Sequence, residues 1–447
     1  MSPPVDPRDL LAAAAAADLP LAPPRADAVA AGFPGSPAHD FGKIVTRVPV
    51  AVATPRDRDE LARCVAFLGA QQVPFVARGT AHGSGGQALV DGGVVLDLRG
   101  LAAIGAPSPG DDDVVVEAGA TWAELCDALR PLSRAPAVLT SNWHTTVGGT
   151  LAVGGFGDAS HQKGPQVTMV RALEVVTLDG ARREVREGDP LFDFSLAGRG
   201  QLGIIAAARL ATVTRSDDLR ARGVVWERLD HFLHDLASFA TSAGAEIVRA
   251  RIAWARGRVR GAVGAFGAGA PRLPPLLGRL GAETRVDYAE AGTEGPNRHW
   301  EAPCPALEVV IPWEPADPAG GAARLEALRE RVLAAGLAPY LPLGSAVMGT
   351  GPGARWPHAP LAPLLAGSSA LVVPIRPEVP AAALPRVMPG VKDIARWTYD
   401  EGGKLYLVGV EAAEDVDLER QVGPALAPWR ELHARYNPSG LMNPGLL

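Results

Sequence analysis

From Asp40 to Thr214, short apolar runs alternate with segments whose apolar positions recur three and four residues apart, the pattern of strands alternating with helices. Val45–Val52 reads as a strand. Thr54-Pro55-Arg56-Asp57 then opens a helix that carries Leu61, Val65, Ala66 and Leu68 on one face. Val73–Ala77, Val94–Leu98 and Asp113–Ala118 follow as strands, and Thr121 caps a helix running to Leu129. Ile204–Thr214 reads as a strand that closes the region. The alternation predicts an α/β domain over residues 37–214, preceded by an N-terminal extension, 1–36, with a short helix near Asp6–Ala17.

Past Ser216 the alternation is lost. Helix-like runs (Leu229–Ala243, Leu325–Ala335) and strand-like runs (Leu307–Ile311, Ala370–Ile375, Lys404–Val410) are separated by Pro- and Gly-rich links. Such an order suits an α+β unit on an antiparallel sheet over 215–402. The final stretch, 403–447, holds a helix over Ala425–Tyr436 and the turn Asn437-Pro438-Ser439-Gly440.

Composition adds exclusions. A chain of 447 residues can bury more than one core. The formal charge of −6, without a dense basic cluster, gives no reason to expect a nucleic-acid partner. Cys64, Cys126 and Cys304 are widely spaced and odd in number, so they fit neither a zinc spacing nor a disulfide framework. Buried thiols in a reducing compartment are expected. No apolar window reaches transmembrane length, and the Ala-rich run Leu10–Ala17 is flanked by Asp9 and Asp18 without a basic leader. A cytoplasmic protein without membrane association is the expectation.

Two glycine-rich stretches carry the candidate chemistry. Arg78-Gly79-Thr80-Ala81-His82-Gly83-Ser84-Gly85-Gly86 lies between two strands. Small residues there let the backbone approach a ligand, so that N–H groups can face an anion such as a pyrophosphate, and His82 adds one reactive nitrogen. An ordinary glycine-rich loop with a solvent-facing histidine fits the same pattern. Thr145–Gly157 is too rich in small residues for a good core helix; it can pack against a flat ligand, with the Thr146 and Thr150 hydroxyls available. A plain connection between strands fits it as well. A third stretch, Gly198-Arg199-Gly200-Gln201-Leu202-Gly203, spells G-x-G-x-x-G with Asp217 and Asp218 downstream. It precedes a strand instead of opening a helix, so a nicotinamide site is rejected. His231 and His234 share a helix face, but no third ligand is in view and no metal site is expected.

Taken in order, these segments resemble the flavin oxidoreductase family that includes vanillyl-alcohol oxidase and the cytokinin dehydrogenases. Ala38-His39-Asp40-Phe41-Gly42, with Pro49-Val50-Ala51-Val52, resembles the family's opening segment. Arg78-Gly79-x-x-His82 with Gly86-Gln87-Ala88 is similar to the loop that holds the FAD pyrophosphate and offers the covalent histidine. Thr146–Leu151, with Gly164-Pro165-Gln166 and Leu173–Thr177, resembles the second flavin segment. Leu196–Ile205 resembles the segment closing the FAD domain, which accounts for the third glycine motif. Tyr436–Gly445 is similar to the final turn that returns to that domain, and Pro305–Pro312 to a strand of the substrate domain.

The resemblance implies an α+β protein: a two-part PCMH-type FAD-binding domain (37–214), an antiparallel-sheet substrate or cap domain (215–402) and a C-terminal segment (403–447) returning to the first. It implies FAD held by Arg78, Gly79, Thr80, Ala81, His82, Gly83, Gln87, Ser141, Thr146, Gly149, Phe156 and Ile205. His82 is either the covalent anchor or a hydrogen-bonding group beside the pyrophosphate. Departures narrow the transfer. Thr80 and Ala81 stand where glycine is common, and Gly83 where serine is usual. Ser141 falls where cytokinin dehydrogenases carry the aspartate that takes a proton from the substrate amine; serine cannot be that base, so cytokinin oxidation does not transfer. No cysteine lies near His144, so at most one covalent flavin bond is implied.

The expected reaction is removal of hydride from a C–H next to an alcohol or amine of a small-molecule substrate, with oxygen or another molecule as electron acceptor. His144 and Glu308 are the candidate bases, with His161 behind them. A flavin electron-transfer subunit and a non-redox relative of the same fold are the alternatives. The length of the region after Ser216 argues against the first, and the intact His82 loop against the second.

Overall fold

In the computed structural model, residues 6–30, 32–107, 112–216, 218–267, 272–287, 301–341, 344–351, 358–365, 367–409 and 416–445 are described. Among them three sheets organise the chain. In the first, Ala51–Ala53 and Phe75–Arg78 run parallel to Val94–Asp97 between them, and Leu21–Ala22 pairs antiparallel with Ala51–Ala53. Helix Arg58–Ala70 supplies the crossover between the two parallel strands Ala51–Ala53 and Phe75–Arg78, which lie on either side of Val94–Asp97. Asp57 is its N-cap, accepting a hydrogen bond from the Glu60 N–H at 2.7 Å. Leu61, Val65 and Leu68 form its buried face, as their spacing predicts. The strand expected over Val45–Val52 is confined to Ala51–Ala53. The N-terminal extension is built into this layer: Asp6 caps helix Pro7–Ala16, whose Leu10 and Ala14 enter the same core.

The second sheet is antiparallel, with Asp113–Glu117 and Val170–Val176 flanking the long strand Ile204–Thr214, Arg182–Arg186 at one edge, and Arg134–Pro136 paired to the far end of Ile204–Thr214. Thr121 and Glu124 form a complete capping box at the start of helix Trp122–Leu129. The α/β alternation read over 37–214 therefore resolves into a small mixed sheet and an antiparallel one. Apolar periodicity marks a strand but not the direction of its partner, which is the reason for the difference. Val176, Ile204 and Ala206 share a core with the first sheet.

The third sheet is antiparallel throughout, in the order Arg279–Asp287, Asp218–Trp226, Arg258–Phe266, Ile247–Ala253, Ser345–Thr350, Ser369–Ile375, Leu307–Trp313, Lys404–Leu405. The last strand is shorter than expected, and Val410 lies outside the described residues. Helices Leu229–Phe239, Pro318–Ala334 and Leu384–Asp400 cover one face, packing Phe232, Leu328 and Ile394 against Val248, Val309 and Val373. Alternate residues point the other way. Of these, Ile247, Val310 and Val372 join the core of the second sheet, while Arg249, Arg251, Glu308 and Pro374 face a cavity. The pleat thus divides each strand between a packed face and a site face.

Candidate functional site

The cavity has a volume of about 1580 Å³ and lies between the glycine-rich loops and the third sheet. A pocket for one drug-sized ligand runs to roughly 300–1,000 Å³. This one has room for a dinucleotide and a substrate together.

One wall is the loop after strand Phe75–Arg78. Gly79, Thr80, Ala81, His82, Gly83 and Gln87 all line the cavity. The N–H groups of Gly79, Thr80, Ala81 and Gly83 donate to no acceptor among the described residues, leaving a run of open donors suited to phosphate oxygens. A Cβ at Gly79 would collide with Thr146 Oγ1, so the first glycine segment interlocks with the second. Ala81 adopts a left-handed backbone, φ +54°, where glycine would be free of the penalty of about 1–2 kcal/mol. Thr80 and Gly83 need no such conformation. The His82 ring is half-buried, stacks on Phe41 at 5.8 Å, meets Phe33 edge-on, and has Nδ1 3.1 Å from Thr80 Oγ1. Gln87 Nε2 donates to the Gly409 carbonyl at 2.7 Å, tying the loop to the segment beyond the cap sheet.

Arg78 borders the cavity, but its guanidinium works inward, donating to the carbonyls of Ser36, His39 and Ala88. Burial pulls it down to about 10, and it clamps the opening segment over the loop. Asp40, fully buried, accepts from the Gly86 and Lys43 N–H groups, and burial raises its carboxyl from 3.8 to about 6. Because the folded value exceeds the unfolded one, the folded state keeps this proton over a window in which the unfolded chain has lost it. Stability from this group therefore falls as pH rises from about 4 to about 6, by about 3 kcal/mol in all, and then levels off. Thermal melts should show a declining midpoint across that window, flattened in Asp40→Asn. Parallel curves would remove Asp40 as the source.

The second segment departs from its sequence reading. Val147–Leu151 is a short helix despite its glycines, because Gly148 lets the backbone press against Ala118, where a Cβ would clash. Thr146, Gly149 and Thr150 line the cavity, and the Thr150 hydroxyl accepts from Trp122 Nε1 at 2.9 Å and donates to the Val147 carbonyl. Ser141, Phe156 and Ile205 also reach the cavity. The G-x-G-x-x-G stretch is a turn, with Arg199 and Gly200 at positive φ. Asn443 locks it, donating to the Gly200 carbonyl at 2.9 Å while its Oδ1 accepts from the Ala77 N–H at 3.0 Å. Asp218 sits in a strand and pairs with Arg285 at 2.8 Å, while Asp217 lies outside the described residues.

The opposite wall is the free face of the third sheet. Glu308, only 2% exposed, accepts from Arg376 Nε at 2.7 Å, with a second, shorter contact to the same guanidinium. Tyr406 packs edge-on against Phe156 at 5.3 Å, and burial, then the Glu308 charge, push its hydroxyl above the ordinary range. Asp158 forms an ion pair with Arg249 across the two walls. His144 is not among the lining residues; its N–H bonds Asn142 Oδ1 in a tight turn, and as a base it is set aside. His161 is also outside the lining, with Nε2 2.7 Å from the Ala245 carbonyl and its pKa lowered by burial. Sequence reasoning missed Asp158, Arg249, Arg251, Arg260, Arg376 and Tyr406. Isolated arginines on weakly patterned strands carry no local signal, and only the pleat and the sheet order bring them together.

Among the described residues no group of His, Cys, Asp or Glu could hold a metal, and no helix is long and apolar enough to cross a membrane. The three cysteines are free and buried, and burial pushes Cys64 up to about 12.

Comparison with known proteins bears on the first wall. Residues 49–186 match the FAD binding domain family. An uncharacterized oxidoreductase from the fasciation locus of Rhodococcoides fascians is 34% identical over 44% of this chain and 45% of its own length. Cytokinin dehydrogenases 6 and 7 of Oryza sativa subsp. japonica are 31% and 36% identical, over 57% and 45% of this chain and 50% and 38% of theirs. The chain thus spans about half the length, or less, of the curated relatives it matches. The open amides, the interlocked Gly79 and Thr146, and the roomy cavity fit FAD as the group this domain holds. On these matches residues 49–186 form a domain of the FAD binding family, and over about half its length the chain is similar to an uncharacterized oxidoreductase and to cytokinin dehydrogenases.

Proposed function

We propose that this chain is an FAD-dependent oxidoreductase that takes hydride from a small-molecule C–H next to an alcohol or amine. The observation that carries the reading is a single cavity with two unlike walls, open backbone donors on one and a charged, aromatic sheet face on the other. FAD supplies a two-electron acceptor, which oxygen or another molecule then restores. In this reading Gly79, Thr80, Ala81 and Gly83 bind its phosphates through their N–H groups, and Thr146 and Gly149 support the same strip. Ser141, Phe156, Gln87 and Ile205 shape the remaining cofactor space. Glu308 takes the proton released from the substrate oxygen or nitrogen, with Arg376 holding its carboxylate in place. Ser141 offers no base, so cytokinin oxidation is not proposed.

The division into 37–214, 215–402 and 403–447 is carried forward in this reading, supported by the hold of Asn443 on the first part. The eight-stranded sheet facing the cavity argues against a pure electron-transfer subunit. Three free buried thiols suit a reducing compartment, the cytoplasm.

His82 is proposed as the covalent flavin anchor, its ring fixed by Phe41, Phe33 and Thr80. The protein should purify yellow, acid precipitation should leave the flavin in the pellet, and a peptide containing His82 should carry the mass of FAD. His82→Ala should release the flavin on acid treatment and slow substrate oxidation. Flavin that comes free from an active wild-type enzyme removes the link; a colourless protein that refuses added FAD removes the whole reading.

A further inference from the structure

Two arginines face the cavity without an anionic partner among the described residues. Arg251 and Arg260 stand directly opposite each other on antiparallel strands, which sets their Cβ atoms about 4.5–5.5 Å apart, and both line the cavity. Like charges placed opposite each other weaken a sheet. The row continues to Val225 beyond Arg260 and Ala346 beyond Arg251, neither of which can neutralise them. The neighbouring cations are already matched, Arg249 by Asp158 and Arg376 by Glu308. Both arginines are exposed on the open cavity face, and the charges bearing on Arg251 are the cations Arg376 and Arg249 and the one carboxylate Asp158. Glu301 and Glu378 also border the cavity, but among the described residues neither pairs with Arg251 or Arg260.

We propose that the substrate carries a carboxylate, held between Arg251 and Arg260 on the cavity face of the eight-stranded sheet. The inference rests on the oxidoreductase reading above and names its substrate class. Two planar guanidinium forks side by side match the oxygens of a carboxylate and relieve their own repulsion on binding it. The donors suited to FAD phosphates lie on the other wall, at residues 79–83, which leaves this pair for a different anion.

Titration calorimetry of the FAD-loaded protein with benzoate and with benzamide, its neutral counterpart, tests the site. Wild type should prefer benzoate. In Arg251→Gln/Arg260→Gln that preference should fall by about 100-fold, roughly tenfold for each guanidinium removed. Arg251→Lys/Arg260→Lys, which keeps the charges, should retain part of it and serves if the Gln pair folds poorly. Equal binding of the two probes by wild type, or no binding of benzoate, overturns the proposal. So does loss of FAD from the Gln variant, which would give the pair to the cofactor. Flavin reduction by 4-(hydroxymethyl)benzoate and by benzyl alcohol separates the two readings. A benzoate preference without reduction by any alcohol or amine removes the oxidoreductase reading and leaves the anion site. Reduction with no preference for the acid removes the anion site alone.

Discussion

Gly79→Ala should give a folded protein that retains little FAD. The added methyl would run into Thr146 Oγ1, with Cγ2 and Cβ of the same side chain close behind, at the point where the two glycine segments meet. Overpacking of this kind destabilises a site by about 1–3 kcal/mol, which corresponds to a loss of affinity of about tenfold or more if the loop yields in order to keep the fold. The ratio of flavin to protein absorbance, together with a thermal melt, separates lost cofactor from lost fold. Adding Thr146→Ala removes Oγ1 and Cγ2 and should restore part of the flavin content. Full flavin in Gly79→Ala would mean that the interlock does not shape the cofactor site.

Glu308→Gln should slow flavin reduction by substrate about 10²- to 10⁴-fold, the range of a lost general base, while flavin content is kept. Glutamine can still accept a hydrogen bond from Arg376, so the geometry at 2.7 Å is preserved while the negative charge is lost. A stability change alone would follow if Glu308 merely neutralised Arg376, since unmatched buried charge is destabilising. A rate within threefold of wild type at equal flavin content would therefore reduce Glu308 to a structural partner.

Local signals in the chain were strong where structure is local. Asp57, Thr121 and Asp6 cap the helices that their positions announce, because a cap needs only a side chain and the N–H groups within the next turn. The long strand Ile204–Thr214 and the turn around Asn437 were legible for the same reason. Cap-sheet strands such as Leu219-Arg220-Ala221-Arg222-Gly223 were not, since arginine, alanine and glycine give little β signal, and sheet order stabilises them from outside the segment. Helix Leu384–Asp400 was hidden by Pro389 in its interior. The helix at Val147–Leu151 was hidden by its glycines, which serve close packing on Ala118.

By itself the sequence determined the cofactor side of the site. The residues of a backbone cradle are consecutive, so Gly79 to Gly83 and Thr146 to Gly149 show in order along the chain what they can bind. Tertiary structure alone decided the substrate side. Arg251 and Arg260 become a pair through strand register, and Glu308 meets Arg376 across adjacent strands. Asp158 reaches Arg249 from the other wall, and His144 is not among the residues that line the cavity. A charge becomes functional through the neighbours that fail or manage to neutralise it, and those neighbours are distant in the chain and near only once the sheets have formed.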